Sequence, residues 1–123
     1  MKLSSYAVDQ VFTLLSSITT KKHKDCKPTT DLSSEYIVIN SLPINAGVLQ
    51  KCYVNVNCHV KDLTGGVPNR PRIEAIAQSV LTLLEEVTQN ALLIDFESQE
   101  LIRVDTTPSE HYMNLRFSVK IIN

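Results

Sequence analysis

Leu49-Gln50-Lys51-Cys52-Tyr53-Val54-Asn55-Val56-Asn57-Cys58-His59-Val60 carries more structural information than any other part of the chain. Cys52, Val54, Val56, Cys58 and Val60 alternate with Lys51, Tyr53, Asn55, Asn57, His59 and Lys61, a period that only a strand with one buried face produces. A strand of about ten residues or more exceeds the usual five or six, so part of it is expected to project beyond the sheet as an arm of a hairpin.

Upstream, Glu35 to Leu42 contains the β-rich run Tyr36-Ile37-Val38-Ile39, closed by Pro43 and the turn signal Asn45-Ala46-Gly47. Further back, Val8, Val11, Phe12, Leu15 and Ile18 recur at helical spacing from Ser5, with Ser4 or Ser5 available as a cap. Residues 21–34 (KKHKDCKPTTDLSS) are polar, contain Pro28 and show no period, which predicts an exposed connector. Downstream, residues 62–70 (DLTGGVPNR) read as a loop. Pro71 suits the first turn of a second helix with the apolar stripe Ile73, Ile76, Ala77, Val80, Leu81, Leu84 and Val87, ending at Asn90.

Leu92, Ile94 and Phe96 then alternate with Leu93, Asp95 and Glu97, and Leu101, Ile102 and Val104 follow the polar break Ser98-Gln99-Glu100. Two short strands or one bulged strand fit this pattern equally. Tyr112 to Ile122 places Met113, Leu115, Phe117, Val119 and Ile121 on one face and Asn114, Arg116, Ser118 and Lys120 on the other. The connection Thr107-Pro108-Ser109-Glu110 predicts that this last strand runs antiparallel to its predecessor. The expected fold is α+β, in the order α-β-β-α-β-β: one domain over residues 1–123, with an antiparallel-rich sheet, two helices packed on one face and a polar opposite face.

Composition agrees with a single core, since the 123 residues are 43% hydrophobic and 20% charged. Twelve Lys and Arg against 13 Asp and Glu leave a formal charge of -1, which recommends neither nucleic acid, membrane nor an acidic substrate as partner. No Trp, four Tyr and three Phe argue against a stacking platform for single-stranded bases. Asp9-Gln10 interrupts any signal-peptide core, and no run of eighteen apolar residues occurs, so a soluble chain without a leader is expected. Cys52 and Cys58 lie in one strand, roughly 20 Å apart at about 3.3 Å per residue, beyond disulfide reach. Reduced thiols in a cytosolic chain are the simpler expectation; a bridge from Cys26 to one of them stays open but unmotivated.

Local chemistry is sparse. His23, His59 and His111 have no second His or Cys at chelating spacing, and Cys58 and His59 point to opposite faces, so a core thiol beside a surface imidazole is expected and no metal or cofactor. Ser109-Glu110-His111 falls in a hairpin turn without an identifiable base, orienting carboxylate and oxyanion site, so no catalytic residue is assigned. Asp95 and Glu97, on one strand face, read as edge-protecting carboxylates rather than an acid/base pair. Gly65-Gly66 lacks the Gly-Lys-Ser/Thr ending of a phosphate loop and reads as a flexible turn.

Lys21, Lys22, His23, Lys24 and Lys27 follow the first helix, where positive charge favours the helix C-terminus; that is a simpler account than a nucleic-acid contact. Arg70 and Arg72 oppose the dipole at the start of the second helix. A carboxylate on a neighbouring chain or a phosphate would compensate them, although a solvated loop is the plainer reading. The polar face carrying Lys51, Tyr53, Asn55, Asn57, His59 and Lys61, with Asn114, Arg116, Ser118 and Lys120 on the same layer, is either solvated or an interface rim. A strand of this length also offers edges for another subunit.

The element order, the long strand LQKCYVNVNCHV, the entry to helix two PNRPRIEAIAQSVLTLL and the closing strand MNLRFSVKII together resemble the small tail-completion, or tail-terminator, proteins of long-tailed phages and prophages. The resemblance is architectural and covers most of the chain. It implies a non-enzymatic subunit of a ring, commonly a hexamer, that caps the tail tube and joins it to the head. It also implies partners among tail-tube and head-connector proteins, assembly in the cytoplasm and a place in a virion or prophage-derived particle. Carried onto this sequence, ring contacts fall on Lys51 to Lys61 and on Leu63 to Arg72. A second reading is a nucleic-acid-binding α+β module using the 21–27 lysine run and the polar sheet face, against which near-neutral charge counts. A small enzyme is the third.

Overall fold

The computed structural model describes residues 4–42, 49–89, 91–104 and 109–122. The elements are α1 (Ser4–Leu14), β1 (Lys21–Lys24), β2 (Glu35–Ser41), β3 (Leu49–Lys61), α2 (Arg70–Leu84), β4 (Val87–Gln89), β5 (Leu92–Val104) and β6 (Glu110–Ile122). The strands form one sheet in the order β1-β2-β3-β6-β5-β4. Among the described residues only β1 and β2 pair in parallel; the other neighbours are antiparallel, so the sheet is mixed and the class is α+β.

The expected order α-β-β-α-β-β lacks the two short outer strands. β1 lies inside the stretch expected to be a connector, and its Lys-Lys-His-Lys composition has no apolar alternation to betray it. β4 takes Val87 out of the helical stripe: α2 stops at Leu84, Glu85 turns to extended backbone, and Glu86 adopts a left-handed φ of 58°. Ala91, at φ 60°, then helps reverse the chain into β5. Val87 still packs against the core, but from a strand. In the same way α1 ends at Leu14, and Ile18 reaches the core from the following turns. Both Ser4 and Ser5 fall inside α1, whereas α2 is capped by Asn69, whose side chain accepts from the Arg72 N–H, with Pro71 in the first turn. Pro43, the Asn45-Ala46-Gly47 turn, Asn90, Thr107 and Pro108 lie outside the described residues.

β3 does not project from the sheet. β6 matches it pair for pair from Leu49↔Ile122 to Lys61↔Glu110, and β2 covers Val54 to Val60 on its other side. Its length is sustained because β5 and β6 are equally long, each of 13 residues. β5 is one bulged strand, with the register shift between Phe96 and Ser98. Glu97 is the extra residue, without a partner in the β6 register, and the strand's alternation inverts beyond it.

The core lies between this sheet and the two helices, both on one face. Cys52, Val54, Val56 and Cys58 of β3 meet Leu115, Phe117 and Val119 of β6, under Val11 of α1 and Ile73, Ile76 and Val80 of α2. All three cysteines are free: Cys26 is exposed, while burial pushes the Cys52 thiol up and that of Cys58 up to about 12. No helix among the described residues is long and apolar enough to cross a membrane.

Candidate functional site

Register builds the open face. Pairing Tyr36 with His59 and His59 with Tyr112 across β2, β3 and β6 aligns three rings on the side away from the helices. The Tyr36 and His59 centroids are 4.4 Å apart at 9°, and those of His59 and Tyr112 are 4.5 Å apart at 23°. Lys27, from the segment after β1, lies 4.5 Å over the outer face of the stack at Tyr36. The expected surface imidazole is therefore an enclosed one, with a side chain only 12% exposed. Burial, assisted by the nearby Lys27 charge, lowers its pKa to about 4. The Glu110 carboxylate stands 3.7 Å from Nδ1 but is taken by the Tyr36 hydroxyl, which donates to Oε1 at 2.8 Å. Among the described residues, Nδ1 has no hydrogen-bond partner of its own. The Tyr36 hydroxyl is in turn pushed up by its burial and by the carboxylate it donates to.

Next to the ring stack runs an amide ladder. Asn55 donates to Asn40 at 2.9 Å and accepts from Asn114 at 3.3 Å and from the Arg116 Nε at 3.2 Å. Asn114 also donates to Asn57 at 2.7 Å. Asn55 is buried by these neighbours, and Lys51 folds over the Tyr53 ring at 5.2 Å. The face is polar but internally bonded, and so presents a fixed pattern of groups rather than loosely solvated side chains.

Lys51, Tyr53, Asn55, Asn57, His59 and Lys61 thus share one layer with Asn114, Arg116, Ser118 and Lys120, as their alternation predicts. Arg70 and Arg72 do not join them. They begin α2 on the opposite side of the sheet, where the Arg72 Nε contacts Glu35 at 2.7 Å. That hydrogen bond and charge raise the Arg72 pKa and supply within the chain the compensation expected of a partner; Arg70 is exposed.

The lysine run is an edge strand rather than an open patch. Lys22 caps the turns after α1 by donating to the Ile18 carbonyl at 2.5 Å, and Lys24 pairs with Asp9 of α1 at 2.8 Å. On the other side of β1, His23 contacts Asp31 at 2.6 Å, tying the 25–34 segment back to the sheet. Hydrogen bonds from the Ser33 hydroxyl and N–H, then from His23, hold Asp31 well below the usual carboxylate range.

The Gly65-Gly66 loop is likewise held. Leu63 and Val67 bridge across a turn whose glycines take φ values of 85° and 76°. Asp62 anchors its base, accepting from Ser109 at 2.9 Å and His111 at 2.6 Å. Burial pushes the Asp62 carboxyl up, but these two hydrogen bonds and the His111 and Arg103 charges outweigh it and leave the pKa lowered. Ser, Asp and His do converge here, yet the serine donates to the aspartate instead of to the imidazole. The arrangement clamps a loop; it does not activate a nucleophile. Among the described residues, no three His, Cys, Asp or Glu side chains are placed to hold a metal ion.

No family model matches this chain, and no curated protein matches it. Among solved structures, the chain is similar to one in the virion of a native gene transfer agent particle, with a TM-score of 0.67 and 18% identity. The similarity covers 96% of this chain and 99% of that one, so the two share a fold almost end to end.

Tyr36, Asn40, Glu110 and Tyr112 complete the open face but escape a residue-by-residue reading. Each is placed by the pairing of β2 or β6 with β3, and strand order is not written in the alternation of any single strand. Glu110, two residues after Pro108, carries no pattern of its own.

Proposed function

We propose that this chain is a non-enzymatic structural subunit of a phage or phage-like particle, assembling with copies of itself into a ring, a hexamer by family resemblance, at the tail or head–tail junction. The observation that carries this reading is the shared fold with a virion chain over nearly the full length of both. The open face supports it: an internally bonded ladder of amides and stacked rings suits a surface that must keep one shape against a neighbour. On this reading Lys51, Tyr53, Asn57 and Lys61 face a partner, with Asn55 and His59 holding the surface from beneath. Arg70 and the apolar tip Leu63 and Val67, each about half exposed, make a second contact. Tail-tube and head-connector proteins are the further partners, and the particle is the final location.

Light scattering coupled to size-exclusion chromatography, with negative-stain images, tests the proposal. Concentration-dependent rings are the expected result. A strict monomer at high concentration that binds oligonucleotides in a salt-sensitive way would overturn it in favour of the nucleic-acid module. The ties of Lys22 and Lys24 to α1 already weigh against that alternative.

A further inference from the structure

We infer that Glu110 is a proton-driven toggle between Tyr36 and His59, and that its acid position releases the strap 25–34 from the open face. The strap connects β1 to β2 on the side away from the helices. There it closes over Tyr36 and Val38, which are 5% and 7% exposed although they stand outside the main core. Asp31 of the strap meets His23, the register neighbour of Val38, at 2.6 Å, and Lys27 lies over the Tyr36 ring at 4.5 Å. Two backbone bonds tie the strap to β2 and β3: Asp25 N–H donates to the Ile39 carbonyl, and the Ser34 carbonyl accepts from Lys61 N–H. A segment held by so few contacts opens locally, at less cost than the sheet beneath it.

One carboxylate oxygen stands between two side chains. Glu110 Oε1 accepts from the Tyr36 hydroxyl at 2.8 Å and lies 3.7 Å from His59 Nδ1, too far for a hydrogen bond. That spacing assigns the proton of the neutral ring to Nε2, so the Nδ1 lone pair faces the carboxylate and repels it. A proton taken up at Nδ1 reverses the sign of the contact. The new N–H faces the carboxylate, and a charge-assisted bond draws Oε1 from Tyr36 to His59. The other charges around the ring do not stand in for Glu110. Lys27 opposes the imidazolium, as do Lys21, beside Tyr36 on β1, and Lys61, two residues along β3. Asp31 is already bonded to His23 and Ser33, and Glu100 of β5 stands beside Asn114, a row away, while Tyr112 brings no charge. After the exchange Tyr36 holds a buried hydroxyl without its acceptor, and Lys27 a second cation nearby; lifting the strap admits water to both.

Amide hydrogen exchange of the full chain, corrected for the intrinsic rate at each pH, tests the release. Between pH 7.5 and 4.5 the amides of Asp25, Asp31 and Lys61 should lose protection, while those at the centres of β3 and β6 keep theirs. If opening restores half of the fall in the His59 pKa from 6.5 to about 4, the loss is about fivefold. His59→Phe keeps a ring in the stack and should hold the strap equally protected at both pH values. NMR titration of the His59 ring tests the toggle separately. Tyr36→Phe, which removes the competing donor, should raise the midpoint, and Glu110→Gln, which removes the charged acceptor, should lower it, each by about half a unit or more. Equal strap protection at the two pH values in the wild type, the same loss in His59→Phe, or a loss shared by the whole sheet overturns the release. A midpoint that neither substitution moves overturns the toggle.

Discussion

His59 makes the stability of this protein depend on pH in a way that a single substitution isolates. Its ring is closed between Tyr36 of β2 and Tyr112 of β6, Lys27 lies over the far side of Tyr36, and Glu110 is the nearby carboxylate, already bonded to the Tyr36 hydroxyl. The pKa falls from 6.5 to about 4 on folding. A histidine lowered in the folded state contributes its full stability above the unfolded value and loses it as the pH drops from there toward the folded one. With about 1.36 kcal/mol per unit, the loss between pH 8 and pH 4.5 comes to roughly 2.5 kcal/mol from this one group. Replacing His59 with Phe keeps a flat ring in the slot and removes the ionisable nitrogen. Urea unfolding of both proteins at pH 8, 6, 5 and 4.5 isolates the effect, since Asp31 and Asp62 titrate in both and cancel in the difference. The variant should gain on the wild type by about 2.5 kcal/mol across that range, most of it below pH 6. A constant gap between the two, or an NMR titration of the His59 ring with a midpoint near 6.5, would refute the account of an imidazole kept neutral by burial.

Three further measurements probe the rest of the framework. Asp62→Asn should destabilise by about 1–3 kcal/mol at neutral pH by weakening the clamp on Ser109 and His111, and hydrogen exchange should quicken around Leu63 to Val67. Because folding lowers the Asp62 pKa, its contribution is present above the ordinary carboxylate value and lost as the pH falls from there through the lowered folded one, so the gap between wild type and variant should narrow on acidification. Phe117→Ala, which empties the centre of β6 beneath both helices, should cost about 3–5 kcal/mol in denaturant unfolding; a loss under about 1 kcal/mol would mean that the site is not packed as described. A thiol reagent at pH 8 should label Cys26 on the native protein and reach Cys52 and Cys58 only after unfolding; rapid native labelling of Cys58 would contradict its burial.

The parts of the fold legible in the sequence are those on which the core imposes a period. β3 and β6 stand out because Val54, Val56, Leu115 and Phe117 must all face the helices, and α2 because Ile73, Ile76 and Val80 must face back. Where the core lets go, the signal fades. Val87 continues the helical spacing of α2 in sequence and still reaches the core, so the apolar spacing does not mark the end of the helix at the extended Glu85 and left-handed Glu86. At Glu97 the bulge reverses the alternation of β5, and a polar break looks the same whether the strand stops or bends.

The open face and the edges are obscure for a different reason. Tyr36, His59 and Tyr112 look like unrelated surface residues until pairing brings them into one stack, because their meaning lies in the order of the strands. β1 is harder still, since lysines give a strand no apolar period, and they are there because an outer strand must avoid its own kind. An edge of this kind leaves no hydrophobic trace in the sequence. The residues hardest to interpret from this sequence are therefore those whose partners lie on other strands, since no single strand's alternation names its neighbour.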